Sequence, residues 1–358
     1  MLERFGHGGD LKTAREIFGF PEDEFLDYSS NMNPFGPPPC VEKIMKERWQ
    51  EIVRYPDPAV RELRACIAKK YKIPEEAILA GNGAAELIDL VIRVLKPQVT
   101  GIARPSFSEY GEAVHKTGKG TITIPLREEN HFDVQAEDVE KAFGHSDILF
   151  LGQPNNPTGR LLPEQVNQLI RENRHPVILD EAFLDFHPSE QKLTFIREAA
   201  SSRHLFVIRS MTKFYAIPGI RLGFIVAHPE WIRKLKEHQV RWSVNMLAQL
   251  IGAAVFGEKE YEAKTKAWLQ DEKEWMQKEF RNIGFQVTPT ETNFMLFAFP
   301  KEHPVNIKQL QDKLGRRGIL IRDASLFPGL NAKYGRVAIR FRQDNMKLIA
   351  ALRETVNV

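Results

Sequence analysis

Short β-rich runs recur from residue 77 to residue 227, and helical stretches separate several of them. The runs read AILA (77–80), VTGIA (99–103), TITIPL (121–126), DILFLG (147–152), PVILDE (176–181), LFVIR (205–209) and LGFIVA (222–227). Among them lie AAELIDLVIRVL (84–95), EYGEAVHK (109–116) and PEQVNQLIREN (163–173), with RELRACIAKKY (61–71) ahead of the first. Few folds accept this alternation. Near-continuous apolar strands belong to a sheet covered on both faces, and helical crossovers make neighbouring strands parallel. The expectation is an α/β fold with a mostly parallel, seven-stranded sheet covered by helices. Ligands of such sheets sit beyond the carboxyl ends of the strands, so functional residues belong just after each run.

The flanks have a different texture. The first forty residues are irregular, with HGGD (7–10), a short helical pattern LKTAREIFGF (11–20) and the loop LDYSSNMNPFGPPP (26–39). Gly, Pro, Asn and Ser at that density mean loop, which either connects or carries polar tips into a site. VEKIMKERWQEIVRYPDP (41–58) places Val41, Ile44, Met45, Trp49 and Ile52 on one helical face that stops at Pro56. A long helical region, 229–282, precedes FQVTPTETNFMLFAF (285–299), GILIRDA (318–324) and RVAIRF (336–341), which suggest a smaller α+β domain closed by QDNMKLIAALRETV (343–356). The chain then divides into an N-terminal arm (1–45), a large domain (46–245) and a small C-terminal domain (246–358).

Composition excludes several classes. A chain of 358 residues with 42% hydrophobic and 27% charged residues is of ordinary globular make-up, with one large or two medium domains. A net charge of +3 without a basic tract argues against a nucleic-acid partner. The ten histidines show no metal-ligand spacing, so no metal is expected. Two cysteines, Cys40 and Cys66, make no disulfide framework and suit a reducing compartment. With no apolar run of signal-peptide or membrane-span length, the expectation is a cytoplasmic protein without a membrane partner.

The strand ends carry the chemistry. GNGAAE (81–86) opens a helix whose first amides, those of Ala84 and Ala85, point at any anion placed there. RPSFSEY (104–110) puts Phe107 where a ring can stack on a planar ligand or fill the core. QPNNPTG (153–159) holds the amide of Asn156 in a loop fixed by two prolines. ILDEAF (178–183) delivers Asp180 from a buried strand, and a carboxylate there needs a cation or hydrogen bonds. RSMTKFYAIPGIRLG (209–223) adds two hydroxyls, Ser210 and Thr212, the amine of Lys213 and the guanidinium of Arg221. A lone lysine supports nothing, since most are solvated surface charges. Together Asp180, Asn156, Lys213, Ser210, Thr212 and Arg221 match what pyridoxal phosphate needs: an amine for a Schiff base, an acid for the pyridine nitrogen, a donor for the phenolic oxygen and a phosphate cup.

Over nearly its whole length the sequence resembles the fold type I pyridoxal phosphate enzymes related to histidinol-phosphate aminotransferase. PNNPTG (154–159), DEAF (180–183), SMTKFYAIPGIRLG (210–223) and RVAIR (336–340) carry the resemblance. It implies Lys213 and Asp180 as catalytic residues, Asn156 on the phenolic oxygen and Phe107 on the ring face. Ser210, Thr212, Arg221 and the amides of Ala84 and Ala85 would take the phosphate. Tyr55, in RYPD (54–57), would reach the partner subunit's phosphate site, which implies a homodimer.

One position departs from the family pattern. Transaminases of this group read DEAY where this chain has Phe183, so one hydroxyl donor beside Asn156 is missing. HGGD (7–10), DYSSNMNPFGPP (27–38) and IRDASLFPGL (321–330) resemble the threonine-phosphate decarboxylase branch, which makes aminopropanol phosphate for the cobalamin nucleotide loop. That resemblance implies a substrate site of His7, Ser30, Asn31, Asn156, Arg322, Arg336 and Arg340, with the arginines on carboxylate and phosphate. A structural ion pair is the other reading of Arg340. The expected reaction is decarboxylation of L-threonine O-3-phosphate; the alternative is transamination of histidinol phosphate or an aromatic amino acid.

Overall fold

The computed structural model describes residues 2–3 and 6–356. Its strands are β1 (Leu26–Asp27), β2 (Ile78–Gly81), β3 (Val99–Arg104), β4 (Gly120–Pro125), β5 (Ile148–Gly152), β6 (Val177–Asp180) and β7 (Leu205–Ser210). They continue with β8 (Gly223–Ala227), β9 (Gln286–Val287), β10 (Phe294–Ala298), β11 (Ile319–Leu320), β12 (Arg322–Asp323) and β13 (Tyr334–Ala338). Seven form one sheet in the order β2-β8-β7-β6-β5-β3-β4. The sequence pattern of a mostly parallel, helix-covered sheet is what the chain adopts. Every residue of β5, β6, β7 and β8 is buried, because helices cover both faces and leave no side for polar alternation.

One strand breaks the parallel order. β8 runs antiparallel to both β7 and β2, whereas the pairs among β3, β4, β5, β6 and β7 are parallel. Reversal brings the beginning of β8 to the edge where β5, β6 and β7 end. Arg221, two residues ahead of β8, therefore joins residues that follow the other strands. The helix Ala84–Leu95 packs Leu87, Ile88 and Val91 into an apolar cluster on one face of the sheet, with Phe150, Ile178, Phe206, Ile208 and Ile225.

The remaining strands are contributed by both ends of the chain. β12, β13, β10 and β9 form a four-stranded antiparallel sheet, and β1 pairs in parallel with β11. The loop after β1 is thereby tied to the C-terminal strands: Tyr28 N–H donates to Leu320 O at 2.8 Å, and Ala338 N–H donates to Tyr28 O at 2.9 Å. The 25-residue helix Lys259–Ile283 packs against the last helix, Arg342–Val356. Among the described residues, no helix is long and apolar enough to cross a membrane, and no group of His, Cys, Asp and Glu has metal-site geometry.

Candidate active site

A cavity of about 310 Å³ opens where β5, β6 and β7 end, roofed by the N-terminal segment and by residues of β12 and β13. It is lined by Lys213, Asp180, Asn156, Phe107, Ser210, Thr212, Arg221, Ala84 and Ala85, and equally by His7, Ser30, Asn31, Arg322 and Arg336. These residues span the chain from position 7 to position 336, and the fold brings them to one place.

Ser210 Oγ and Thr212 Oγ1 lie 2.8 Å apart at the end of β7. Beside them no side chain caps the helix Ala84–Leu95, so its first N–H groups remain available to an anion. Two glycines allow the approach. A Cβ on Gly83 would stand 2.5 Å from Arg221 Nη2, and one on Gly223 would stand 2.8 Å from the Ala84 amide nitrogen. Arg221 itself adopts a left-handed backbone conformation, φ 58°.

Asp180 closes β6. Its Oδ1 accepts the Ala182 N–H at 3.0 Å and its Oδ2 accepts the Tyr110 hydroxyl at 2.7 Å. Burial pushes its carboxyl above the usual range, while the Tyr110 and Ala182 donors pull the other way. Lys213 is shifted in the opposite sense. Burial, then the charges of Arg336 and Arg221, push its amine down to about 8 against a smaller raising effect of Asp27. A lysine brought that low has a free-base fraction at neutral pH far above that of a surface lysine.

Two buried cations reach the cavity, Arg322 and Arg336, paired directly opposite one another across β12 and β13 and exposed by only 4% and 6%. Arg336 donates to Asn156 Oδ1 at 2.5 Å and to Ser29 O at 2.8 Å, and Arg322 donates to Gly6 O. Both guanidinium carbons stand within 6 Å of the Phe327 ring centroid, at 5.5 and 5.8 Å. Among the described residues, Arg336 Nε and Arg322 Nη1 have no hydrogen-bond partner, and Glu3 approaches Arg322 Nη1 only to 3.9 Å. Burial and the charge of Arg322 push Arg336 down to about 9, though it keeps its proton at neutral pH. Like charges set opposite one another destabilise a strand pair, so two buried cations with idle donors could hold anions.

Two named residues do not line this cavity, Arg340 and Tyr55, the second of which was expected at a partner subunit's site. Tyr55 is 83% exposed and packs on Trp242, with ring centroids 5.1 Å apart. Arg340 pairs with Asp344 at 3.1 Å and covers the Tyr28 ring, so within this chain it makes the structural ion pair instead of lining the cavity. Phe183 does line it, edge-on to Phe294 at 4.9 Å, and offers no donor to the space beside Asn156.

Other lining residues were not singled out by sequence. Tyr110 holds Asp180, and its place one helical turn after Phe107 is the signal that could have found it. Glu109 bonds His7 Nε2 at 3.1 Å, and that bond holds its carboxyl below the usual range. Asp27 lies behind the wall: its carboxylate accepts from Ser29 N–H at 2.8 Å, Ser29 Oγ at 2.6 Å and Ser30 Oγ at 2.5 Å, and so shapes the loop that reaches the cavity.

Fold and site together are those of an enzyme family, and the chain belongs to it: residues 23–352 match the aminotransferase class I and II family. The threonine-phosphate decarboxylase of Salmonella typhimurium is 36% identical over 98% of this chain and 96% of its own. The adenosylcobalamin biosynthesis bifunctional protein CobDQ of Leptospira interrogans is 30% identical over 96% of this chain and 40% of its own length. The crystal structure of the histidinol-phosphate aminotransferase from Clostridium acetobutylicum superposes with a TM-score of 0.85 at 30% identity, covering 92% of this chain and 98% of that one. The family's cofactor, pyridoxal phosphate, fits the residues present. The uncapped helix start, two hydroxyls and Arg221 suit its phosphate, Lys213 its aldehyde, and Asp180 its ring nitrogen.

Proposed function

We propose that the protein decarboxylates L-threonine O-3-phosphate to (R)-1-aminopropan-2-yl phosphate and carbon dioxide, supplying aminopropanol phosphate to cobalamin biosynthesis. The observation that carries this reading is the opposed pair Arg322 and Arg336, buried, short of hydrogen-bond acceptors and separate from the phosphate cup. A substrate with both a carboxylate and a phosphate gives each guanidinium an anion. Histidinol phosphate has only one. Identity of 36% along almost the full length of a threonine-phosphate decarboxylase supports the same choice.

Each residue then has a task. Lys213, brought to about 8, presents a free amine to the cofactor's aldehyde, and after substrate binds it is placed to return a proton to the substrate α-carbon. With the cofactor bound, Asp180 would keep the ring nitrogen protonated, and Phe107 would support one ring face. Asn156 spends its oxygen on Arg336, which leaves its amide N–H groups for the phenolic oxygen. When bound, pyridoxal phosphate supplies an electron sink for the pair left behind by a broken bond to the α-carbon. Which bond breaks is decided by which one stands perpendicular to the ring, and Arg322 and Arg336 set that angle through the substrate's anions. With the cofactor bound, arginines that held the carboxylate out of the ring plane would favour loss of carbon dioxide, and a site that held the hydrogen there would favour transamination. Positioning of this kind contributes several kcal/mol, on the order of the difference between the two outcomes. His7, Ser30 and Asn31 hold the phosphate from the N-terminal side.

The working unit of this reading is a homodimer in the cytoplasm. Support comes from an exposed apolar surface that includes Trp49, Ile52, Val53, Tyr55 and Trp242, and from two cysteines that are both free. The deciding assay incubates the holoenzyme with threonine phosphate and follows carbon dioxide and aminopropanol phosphate. Absence of both, with brisk 2-oxoglutarate-dependent turnover of histidinol phosphate, replaces this reading with the transaminase one.

A further inference from the structure

Asp180 is a buried acid held by two neutral donors, the Ala182 N–H and the Tyr110 hydroxyl. The Tyr110 side of that arrangement is built with care. Its ring lies parallel to Phe150 of β5, centroids 4.0 Å apart and planes 12° from parallel, and stands edge-on to Phe107 at 5.8 Å. Only 1% of the residue is exposed. Phe150 fixes the phenol from below and the helix Ser108–His115 fixes it from the side, so the hydroxyl has little freedom to leave the carboxylate.

We propose that Tyr110 is the positioning residue of the cofactor's acid: its hydroxyl holds Asp180 Oδ2 so that the remaining lone pairs of the carboxylate face the pyridine nitrogen. This rests on the reading of the cavity as a pyridoxal phosphate site. Burial keeps the Tyr110 phenol protonated far into the alkaline range, so it acts as a fixed donor and never as a competing base. A carboxylate relieved of one donor turns more basic and draws the shared proton away from the ring. Tyr110 thus influences how fully the ring nitrogen is protonated without touching the cofactor. It also joins the residue under the ring face, Phe107, to the residue at the ring nitrogen, Asp180, through a single side chain.

The test compares wild type, Tyr110→Phe and Asp180→Asn. Phenylalanine keeps the stack on Phe150 and removes only the oxygen. Two quantities are measured: the affinity of the cofactor-free protein for pyridoxal phosphate, by fluorescence titration, and the 15N resonance of cofactor labelled at the ring nitrogen. Tyr110→Phe is expected to bind about tenfold more weakly, because the Asp180 carboxylate is no longer held in the orientation that meets the ring nitrogen. Its resonance moves toward the unprotonated position, a change that loss of packing alone does not produce. Site-specific replacement of Tyr110 by 3-fluorotyrosine, a stronger donor of nearly the same shape, moves the resonance the other way and serves if the phenylalanine variant does not fold. Unchanged affinity and resonance in both Tyr110 variants, with Asp180→Asn altering both, discards the role of Tyr110 alone. If Asp180→Asn alters neither quantity, the assignment of Asp180 to the cofactor ring falls, and the role of Tyr110 with it.

Discussion

Lys213 keeps company with two arginines, and that sets its reactivity. Its amine titrates near 8, so modification by a small amine reagent such as cyanate, followed by peptide mass spectrometry on the cofactor-free protein, should rise with a midpoint about two pH units below that of surface lysines. Arg336 lends itself to a second experiment. Lysine at that position retains the charge but not the planar fork that reaches Asn156 and Ser29 together, and kcat/KM for threonine phosphate should fall by roughly 30- to 100-fold. Single residues were unevenly legible in the sequence. Asp180, Asn156 and Lys213 follow apolar runs, so a strand-end rule finds them. Arg336 and Arg340 look alike in RVAIR, yet β13 ends at Ala338. The first therefore sits in the sheet opposite Arg322, and the second turns away to Asp344 at the start of the last helix. Asp27 was illegible for another reason. It acts through neighbours that only the folded chain supplies.

Among the elements, β8 shows most clearly what pattern reading leaves out. An apolar run looks the same in either direction, so its antiparallel pairing with β7 and β2 was not visible, although Arg221 depends on it. Gly223 is the contact point, and a Cβ there would meet both the Ala84 nitrogen and the Arg209 carbonyl oxygen at 2.8 Å. Gly223→Ala should separate the helix start from Arg221, reducing pyridoxal phosphate affinity at least tenfold and lowering stability by about 1–3 kcal/mol, read by titration and by thermal melts. Behind the ends of β6 and β7, Arg209 is enclosed by Glu181, Asp185, Glu190 and the Tyr71 hydroxyl. Burial raises the Glu181 carboxyl to about 7 against the pull of Arg209. A carboxyl raised in the folded state binds its proton more tightly there than in the unfolded chain. Its contribution to stability is complete below about 4.5 and is lost as pH rises through 7. The stability of wild type relative to Glu181→Gln should therefore decline between those limits, by on the order of 3 kcal/mol, measured by denaturant unfolding at a series of pH values.

At the scale of the whole molecule, the exposed apolar residues around Val53 and Trp242 depart from a self-contained chain. Val53→Asp should convert the proposed dimer to monomer in analytical ultracentrifugation and weaken cofactor retention, because Tyr55 would no longer reach a second site. Sequence periodicity announced the large sheet well but said little of the closing contacts, which join residues about three hundred positions apart. Arg336 to the Ser29 carbonyl and Asn293 to the Asn31 carbonyl are two of them. Such separations order events in time as well as in space. The cofactor cup is complete in sequence at Arg221, whereas Arg336 lies roughly 115 residues further on. During synthesis at about 5–20 residues per second, on the order of ten seconds pass between the two leaving the ribosome. For that interval the nascent chain holds the proposed cofactor cup and the N-terminal arm without Arg322 and Arg336, and a coenzyme captured then would be waiting when the two arginines close over it.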